Sequence, residues 1–267
     1  MNGSIYPKKR LGQNFLKDPH YLKKIVDEAG LGPEDQVLEI GPGLGHLTRF
    51  IAEKARRVIA VELDDRLIPL LKEGFAGLSN VEIVHADALE YPFEALPGIW
   101  KLIANLPYYV STPIIQKAVN ARQRFSRMVL MLQKELAERI TSGPGTKEYG
   151  ALSVYVQMYM EAAIAFYVPA AAFSPSPDVD SALVVFKIRE RSAVEVKDEA
   201  HLMRVVRTVF SRRRKTLRNS LKQLGISGAD MDKIEQESGI DLTRRPETLG
   251  IAEFGRLSDS ISAGQGT

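Results

Sequence analysis

From Pro19 to about residue 140 the chain alternates short apolar runs with stretches of helical period, and few folds accommodate that rhythm. Residues 19–30 predict a helix, opened by Asp18-Pro19 at the N-cap and N1 positions. Strands are predicted at 36–40, 57–63, 81–86, 100–104 and 128–132, separated by helices at 47–54, 66–75, 112–121 and 134–140. Strands that alternate with helices form an α/β layer, with a mostly parallel sheet buried on both faces. The rhythm then changes. Residues 141–150 form a Gly-rich loop and 151–160 a helix. Two more strands, 163–168 and 182–188, flank Phe173-Ser174-Pro175-Ser176-Pro177-Asp178, a turn that favours an antiparallel pair at the sheet edge. Residues 190–197 are charged and without period, as in a linker; beyond them lie only helical patterns, at 201–210, 215–224, 227–237 and 251–262. The expectation is two domains, 1–190 and 191–267, the second small and all-helical.

A chain of 267 residues with 45% hydrophobic residues has ample core for this arrangement. It contains no apolar run of transmembrane length, and residues 1–17 are basic but lack the apolar segment of a secretory signal. With no Cys, disulfides, thiol nucleophiles and Cys-ligated zinc are excluded; the four His (20, 46, 85, 201) have no metal-ligand spacing, so no metal is expected. A cytoplasmic location and no membrane partner follow as expectations. Net charge is only +3, but Arg204 to Lys222 carries eight Lys or Arg and no acid. Such a run suits a phosphate-binding surface, with a solvated helix face as the bland alternative.

The first strand leads into Leu38-Glu39-Ile40-Gly41-Pro42-Gly43-Leu44-Gly45. Glycines between a strand and a helix permit a tight turn and close approach of a ligand to backbone. The spacing is G-x-G-x-G, not the G-x-G-x-x-G of a dinucleotide fold. Glu39 beside the turn would repel a pyrophosphate and attract a ligand carrying an ammonium and a sulfonium. Glu62 closes the second strand, 17 residues past Gly45, where a carboxylate can accept from both hydroxyls of a ribose. Asp87 ends the third strand, placed to accept from an adenine amino group.

Asn105-Leu106-Pro107-Tyr108 follows the fourth strand. The Asn105 side-chain oxygen and the Leu106 carbonyl are two acceptors; Pro107 lacks an N–H and disfavours helix at Leu106, leaving that carbonyl outward. The Tyr108 ring is a stacking surface. Two acceptors and a ring suit an exocyclic amino group on a flat heteroaromatic base, as in adenine presented for chemistry at its amino nitrogen.

The order of these motifs resembles class I S-adenosylmethionine-dependent methyltransferases that act on an amino nitrogen, a Rossmann-like fold. Four further stretches are more specific: Leu11-Gly12-Gln13-Asn14-Phe15-Leu16, Phe173 to Ala182, Arg213 to Leu221, and Arg245-Pro246-Glu247. These closely resemble the bacterial small-subunit ribosomal RNA adenine N6,N6-dimethyltransferases, from about residue 8 to residue 260. The resemblance implies that Asn14, Leu16, Gly41, Glu62, Asp87 and Asn105 touch S-adenosylmethionine, under an N-terminal segment folded over it as a lid. It implies catalytic positions at Asn105, Leu106, Pro107 and Tyr108, with Phe173 against the other face of the base. Lys8, Lys9, Arg10, Arg212, Arg213, Arg214, Lys215 and Arg218 would hold RNA phosphates. The implied partner is small-subunit ribosomal RNA within immature small ribosomal subunits, bound by a monomer. Tyr109 stands where that family often has Asn. Two alternatives stay open: a methyltransferase acting on large-subunit RNA, which shares fold and motif, and a protein acting chiefly as a checkpoint in small-subunit assembly.

Overall fold

The computed structural model describes residues 13–264. The described residues fold as two compact units, one of residues 13–137 and 162–188, the other of 138–161 and 189–264.

The first unit is built on a seven-stranded sheet. In chain order its elements begin with strand β1 (Phe15–Leu16) and helix α1 (Pro19–Ala29). The Asp18 side chain caps α1 by accepting from His20 N–H, and Gly30 ends it in the left-handed region. There follow β2 (Gln36–Ile40), α2 (His46–Ala52), β3 (Arg57–Glu62), α3 (Ile68–Phe75), β4 (Val81–His85), β5 (Trp100–Asn105), α4 (Ser111–Asn120) and β6 (Phe125–Gln133). The chain then runs through α5 (Lys134–Thr141) and α6 (Ala151–Tyr159), the latter belonging to the second unit, before it returns as β7 (Met160–Val168), β8 (Phe173–Ser174) and β9 (Ser181–Ile188). The large sheet has the order β4-β3-β2-β5-β6-β9-β7. Strands β2 to β6 pair in parallel; β9 runs antiparallel to β6, and β7 lies beyond it at the edge. Fully buried Val37, Leu38, Val58, Leu102 and Ile103 explain the continuous apolar runs of the central strands. Strand order reverses between β2 and β5, and the carboxyl ends at such a switch point form the natural crevice for a ligand.

Most strand and helix bounds fall within a few residues of the sequence expectation. One pairing has no counterpart in it: β1 runs antiparallel to β8, setting Phe15 opposite Ser174 and Leu16 opposite Phe173.

The second unit contains α7 (Glu199–Phe210), α8 (Leu217–Leu221), α9 (Gly228–Ser238) and α10 (Ile251–Gly264). Leu202, Val205, Val206 and Val209 make the buried stripe of α7, which packs on α6, α8 and α10. That packing is why residues 138–161 group here, although the chain's rhythm alone assigns them to the first domain. The expected linker at 190–197 is also laid onto this unit. Val194 and Val196 lie so close to Gly255 of α10 that a Cβ there would meet them at 2.9 and 3.1 Å, and Ala193 N–H donates to Met158 O. An irregular strap with two anchoring valines has no helical period to read.

Candidate active site

One pocket of the first unit gathers Asn14, Leu16, Gly41, Glu62, Asp87, Asn105, Leu106, Pro107, Tyr108 and Phe173, residues drawn from widely separated places in the sequence. It opens at the carboxyl ends of β2 to β5, at the switch point.

The turn after β2 forms its floor. Gly41 N–H donates to Val61 O at 2.9 Å. Gly43 has φ +60°, and a Cβ built there would sit 2.8 Å from the Phe15 ring, so a side chain would displace β1 as well as strain the backbone. Glu62, only 6% exposed, turns one carboxylate oxygen to Gly43 N–H (3.1 Å) and the other to Asp64 N–H (2.8 Å). The two amides fix the carboxylate plane while each oxygen keeps a second acceptor site. Burial raises its pKa above the usual carboxylate range, and the amides oppose the rise.

Glu39 also lines the pocket and is 1% exposed; its Oε2 is buried and has no hydrogen-bond partner. Burial pushes this carboxyl up to about 8, and the neighbouring Glu62 charge adds to the rise. An orphaned buried oxygen beside the glycine turn fits a cationic ligand group there, which would ionise the carboxyl on binding. The raised pKa has a stability consequence with a definite sign. Unfolded Glu39 loses its proton near 4.5, while the folded protein holds it until about 8. The folded state therefore binds more protons in that window, and stability should fall as pH rises through it. The slope for one such group approaches about 1.4 kcal/mol per pH unit. Glu39→Gln removes the group, so the stability difference between parent and variant should shift steadily against the parent from pH 5 to 8 in denaturant titrations. A difference constant with pH would mean that the carboxyl is ionised throughout.

Asp87 Oδ1 accepts Leu89 N–H at 2.8 Å in the turn after β4, leaving Oδ2 for other partners. At the end of β5 the Asn105 amide is oriented: Nδ2 donates to Asn14 O at 3.1 Å, which leaves Oδ1 as the outward acceptor. The Pro107 carbonyl is already used by Val110 N–H (3.2 Å) and Ser111 Oγ (3.1 Å), whereas no donor among the described residues reaches the Leu106 carbonyl. The available acceptor pair is thus Asn105 Oδ1 and Leu106 O. Tyr108 is half-buried, with its hydroxyl 2.9 Å from Ser181 Oγ, and burial raises its pKa. A neutral phenol held in that way is no proton acceptor for chemistry in the pocket; what it offers is its ring. Phe173 lines the pocket but is only 5% exposed and belongs to the core cluster with Leu16, Leu22 and Val168. It is a wall packed from behind.

Several pocket contacts had no sequence signal. Gln13 Nε2 donates to Asp64 Oδ2 (3.0 Å), His46 Nδ1 to Leu16 O (3.2 Å) and Lys17 N–H to Ala172 O (3.4 Å). With the β1–β8 pairing, these bonds fasten residues 13–17 across the glycine turn, β3 and β8. Single polar contacts between distant segments leave no period or spacing to find.

The basic residues divide. Lys8, Lys9 and Arg10 lie outside the described residues. In the second unit, 212–215 form an exposed turn after α7, not part of a helix. Arg213 Nη2 donates to Lys147 O and Tyr149 O, both at 2.6 Å, and Arg218 pairs with Asp232 (2.7 Å) and Glu235 (2.8 Å). These two are engaged inside the unit, while Arg212, Arg214 and Lys215 have no ion pair among the described residues. Those residues also contain no cluster of His, Asp and Glu able to hold a metal, and no helix long and apolar enough to cross a membrane.

The comparisons with known proteins agree with this geometry. The model of the family described as "Ribosomal RNA adenine dimethylase" matches residues 6–262. A ribosomal RNA small subunit methyltransferase A of Clostridium acetobutylicum is 45% identical over 256 residues, covering 95% of this chain and 93% of that protein. Its namesake from Geobacter metallireducens is 44% identical, with 97% of each chain covered. Among solved structures, a dimethyladenosine transferase from Plasmodium falciparum superposes with a TM-score of 0.79 at 28% identity, covering 94% of this chain and 98% of that one. The 23S rRNA methyltransferase ErmE follows at 0.74 and 26%, covering 93% and 100%. A mostly parallel sheet with its pocket at the switch point, a free acceptor pair after β5 and a full-length family match lead to one conclusion: the chain belongs to the ribosomal RNA adenine dimethylase family.

Proposed function

We propose that this protein transfers methyl groups from S-adenosylmethionine to the N6 amino groups of two adjacent adenines near the 3′ end of small-subunit ribosomal RNA. The observation that carries this reading is the acceptor pair of Asn105 Oδ1 and Leu106 O, oriented by Asn14 and set beside the Tyr108 ring. The identity of 44–46% to proteins named for the small subunit, against 26% to the 23S enzyme, favours the small-subunit substrate over the large. Cytoplasmic immature small subunits are the proposed setting, with the protein acting as a monomer.

S-adenosylmethionine, when bound, supplies an electrophilic methyl group. Glu62 would take the ribose hydroxyls, Asp87 the adenine amino group, and Glu39 the cationic end. The chain's own work lies with the target base. The adenine amino nitrogen is a poor nucleophile because its lone pair is delocalised into the ring. Accepting both its hydrogens, at Asn105 Oδ1 and Leu106 O, favours a pyramidal nitrogen with a localised pair. Tyr108 stacks on one face of the base, and the Phe173 wall limits the other. No general base is required, because the alkylated nitrogen is strongly acidic. Catalysis is positioning and electrostatics, applied to a base drawn out of its stack.

The direct test is methyl transfer to purified immature small subunits compared with mature large subunits, with the products mapped. Label on N6 of adjacent small-subunit adenines is expected; transfer confined to large subunits would overturn the reading. An assembly-checkpoint role would show as small-subunit binding that survives loss of transfer.

The exposed turn gives a second test. Arg212→Ala, Arg214→Ala and Lys215→Ala together should weaken subunit binding and lower the log–log salt slope by about 2–3 units, at roughly 0.7–0.9 per phosphate contact. S-adenosylmethionine affinity should not change. Arg213→Ala should instead lower the melting temperature, since its guanidinium braces the loop at Lys147 and Tyr149. An unchanged slope in the triple variant would move the RNA grip elsewhere.

A further inference from the structure

Ser181 opens β9, where the next five residues, Ala182 to Phe186, are all apolar and buried. It is itself fully buried, opposite Gln133 of β6. A hydroxyl in such a place is unfavourable unless it is hydrogen-bonded. The side-chain contact that satisfies it is the Tyr108 hydroxyl, at 2.9 Å, from a segment 73 residues away. The two ends of this contact are each held. Tyr108 sits on a short 3-10 turn fixed at Pro107 O by Val110 N–H and Ser111 Oγ. Asp180, next to Ser181, takes Lys134 N–H on its carbonyl and Ala170 N–H on its carboxylate, both at 3.0 Å. The segment that ends at Ser181 begins at Phe173.

We propose that Ser181 is a positioning residue for methyl transfer: its buried hydroxyl fixes the Tyr108 ring and so sets the gap between that ring and the Phe173 wall into which the target adenine slides. This rests on the proposed adenine chemistry. Tyr108 has a hydroxyl, in this view, as a handle for the ring. Burial keeps the phenol protonated, so the contact should work equally across the neutral range.

The test is a double-mutant cycle of Ser181→Ala and Tyr108→Phe, read by single-turnover transfer at saturating S-adenosylmethionine and RNA. Each single variant should lose about tenfold in rate, and the double variant should lose no more than either, because both remove one contact. S-adenosylmethionine affinity and the pH profile of the rate should match the parent. With 2-aminopurine at the target position, the bound parent should quench fluorescence by stacking, and both variants should quench less. Tyr108→Phe deletes only the phenol oxygen, so it carries the test alone should Ser181→Ala fold poorly. Parent-like rates in Tyr108→Phe, or losses that multiply in the double variant, would overturn the proposal and leave Ser181 a packing residue. A parent that puts no methyl on adenine N6 would instead overturn the functional reading beneath it.

Discussion

Asn105→Ala should bind small-subunit RNA nearly as well as the parent and transfer methyl groups at least about 100-fold more slowly, a loss near 3 kcal/mol in the barrier. The side chain touches no phosphate in this scheme. Its oxygen accepts one hydrogen of the target amino group, an interaction that strengthens as the nitrogen becomes pyramidal and positively charged. Its nitrogen has a separate duty, the bond to Asn14 O at 3.1 Å that holds residues 13–17 against the end of β5. Alanine removes both. Aspartate separates them, because it keeps an acceptor for the substrate but sets a carboxylate oxygen against the Asn14 carbonyl. Asn105→Asp should therefore fall between parent and alanine in rate, and should show faster proteolysis near residues 13–17. A single-turnover rate for Asn105→Ala within about threefold of the parent would be under ~1 kcal/mol and would remove Asn105 from the chemistry.

How far the sequence could be read depended on the kind of interaction. The parallel sheet was legible because buried strands such as β3 (Arg57–Glu62) and β5 (Trp100–Asn105) write their burial as continuous apolar runs. The strand-end positions of Glu62 and Asn105 followed from that rhythm, whereas Asp87, expected to end its strand, lies in the turn beyond β4; Pro107 announced the free Leu106 carbonyl. What could not be read lies in pairs of residues far apart in the chain. The two-residue pairing of β1 with β8 is too short for any period, yet it places Phe15 on Gly43 and Leu16 beside Phe173. The charge run from Arg204 to Lys222 was visible as composition, but composition does not show that Arg213 is turned to backbone carbonyls or that Arg218 pairs with Asp232 and Glu235. Phe173 shows the same limit: the motif marks its importance, while only packing shows that most of the ring is spent in the core.

Glu62→Gln should weaken S-adenosylmethionine binding by roughly 30–100-fold, the equivalent of losing about 2–3 kcal/mol of charge-assisted acceptance. The glutamine has the glutamate's shape but loses the charge and one acceptor oxygen. It must also turn a donor toward either Gly43 N–H or Asp64 N–H, both of which now face a carboxylate oxygen. A strand-end acid that served the ligand alone could be truncated to alanine without disturbing the fold; the two amide bonds to Glu62 argue otherwise. In Glu62→Ala those buried N–H groups lose their acceptor, at about 1–3 kcal/mol each. Alanine is therefore expected to lower the melting temperature as well as abolish binding, and the glycine turn should loosen because Gly43 is one of the two residues released. Calorimetric titration of both variants, paired with thermal unfolding without ligand, separates the two duties. If Glu62→Gln keeps parental affinity, the carboxylate serves only to brace the turn, and the ribose must be held by other groups of the pocket.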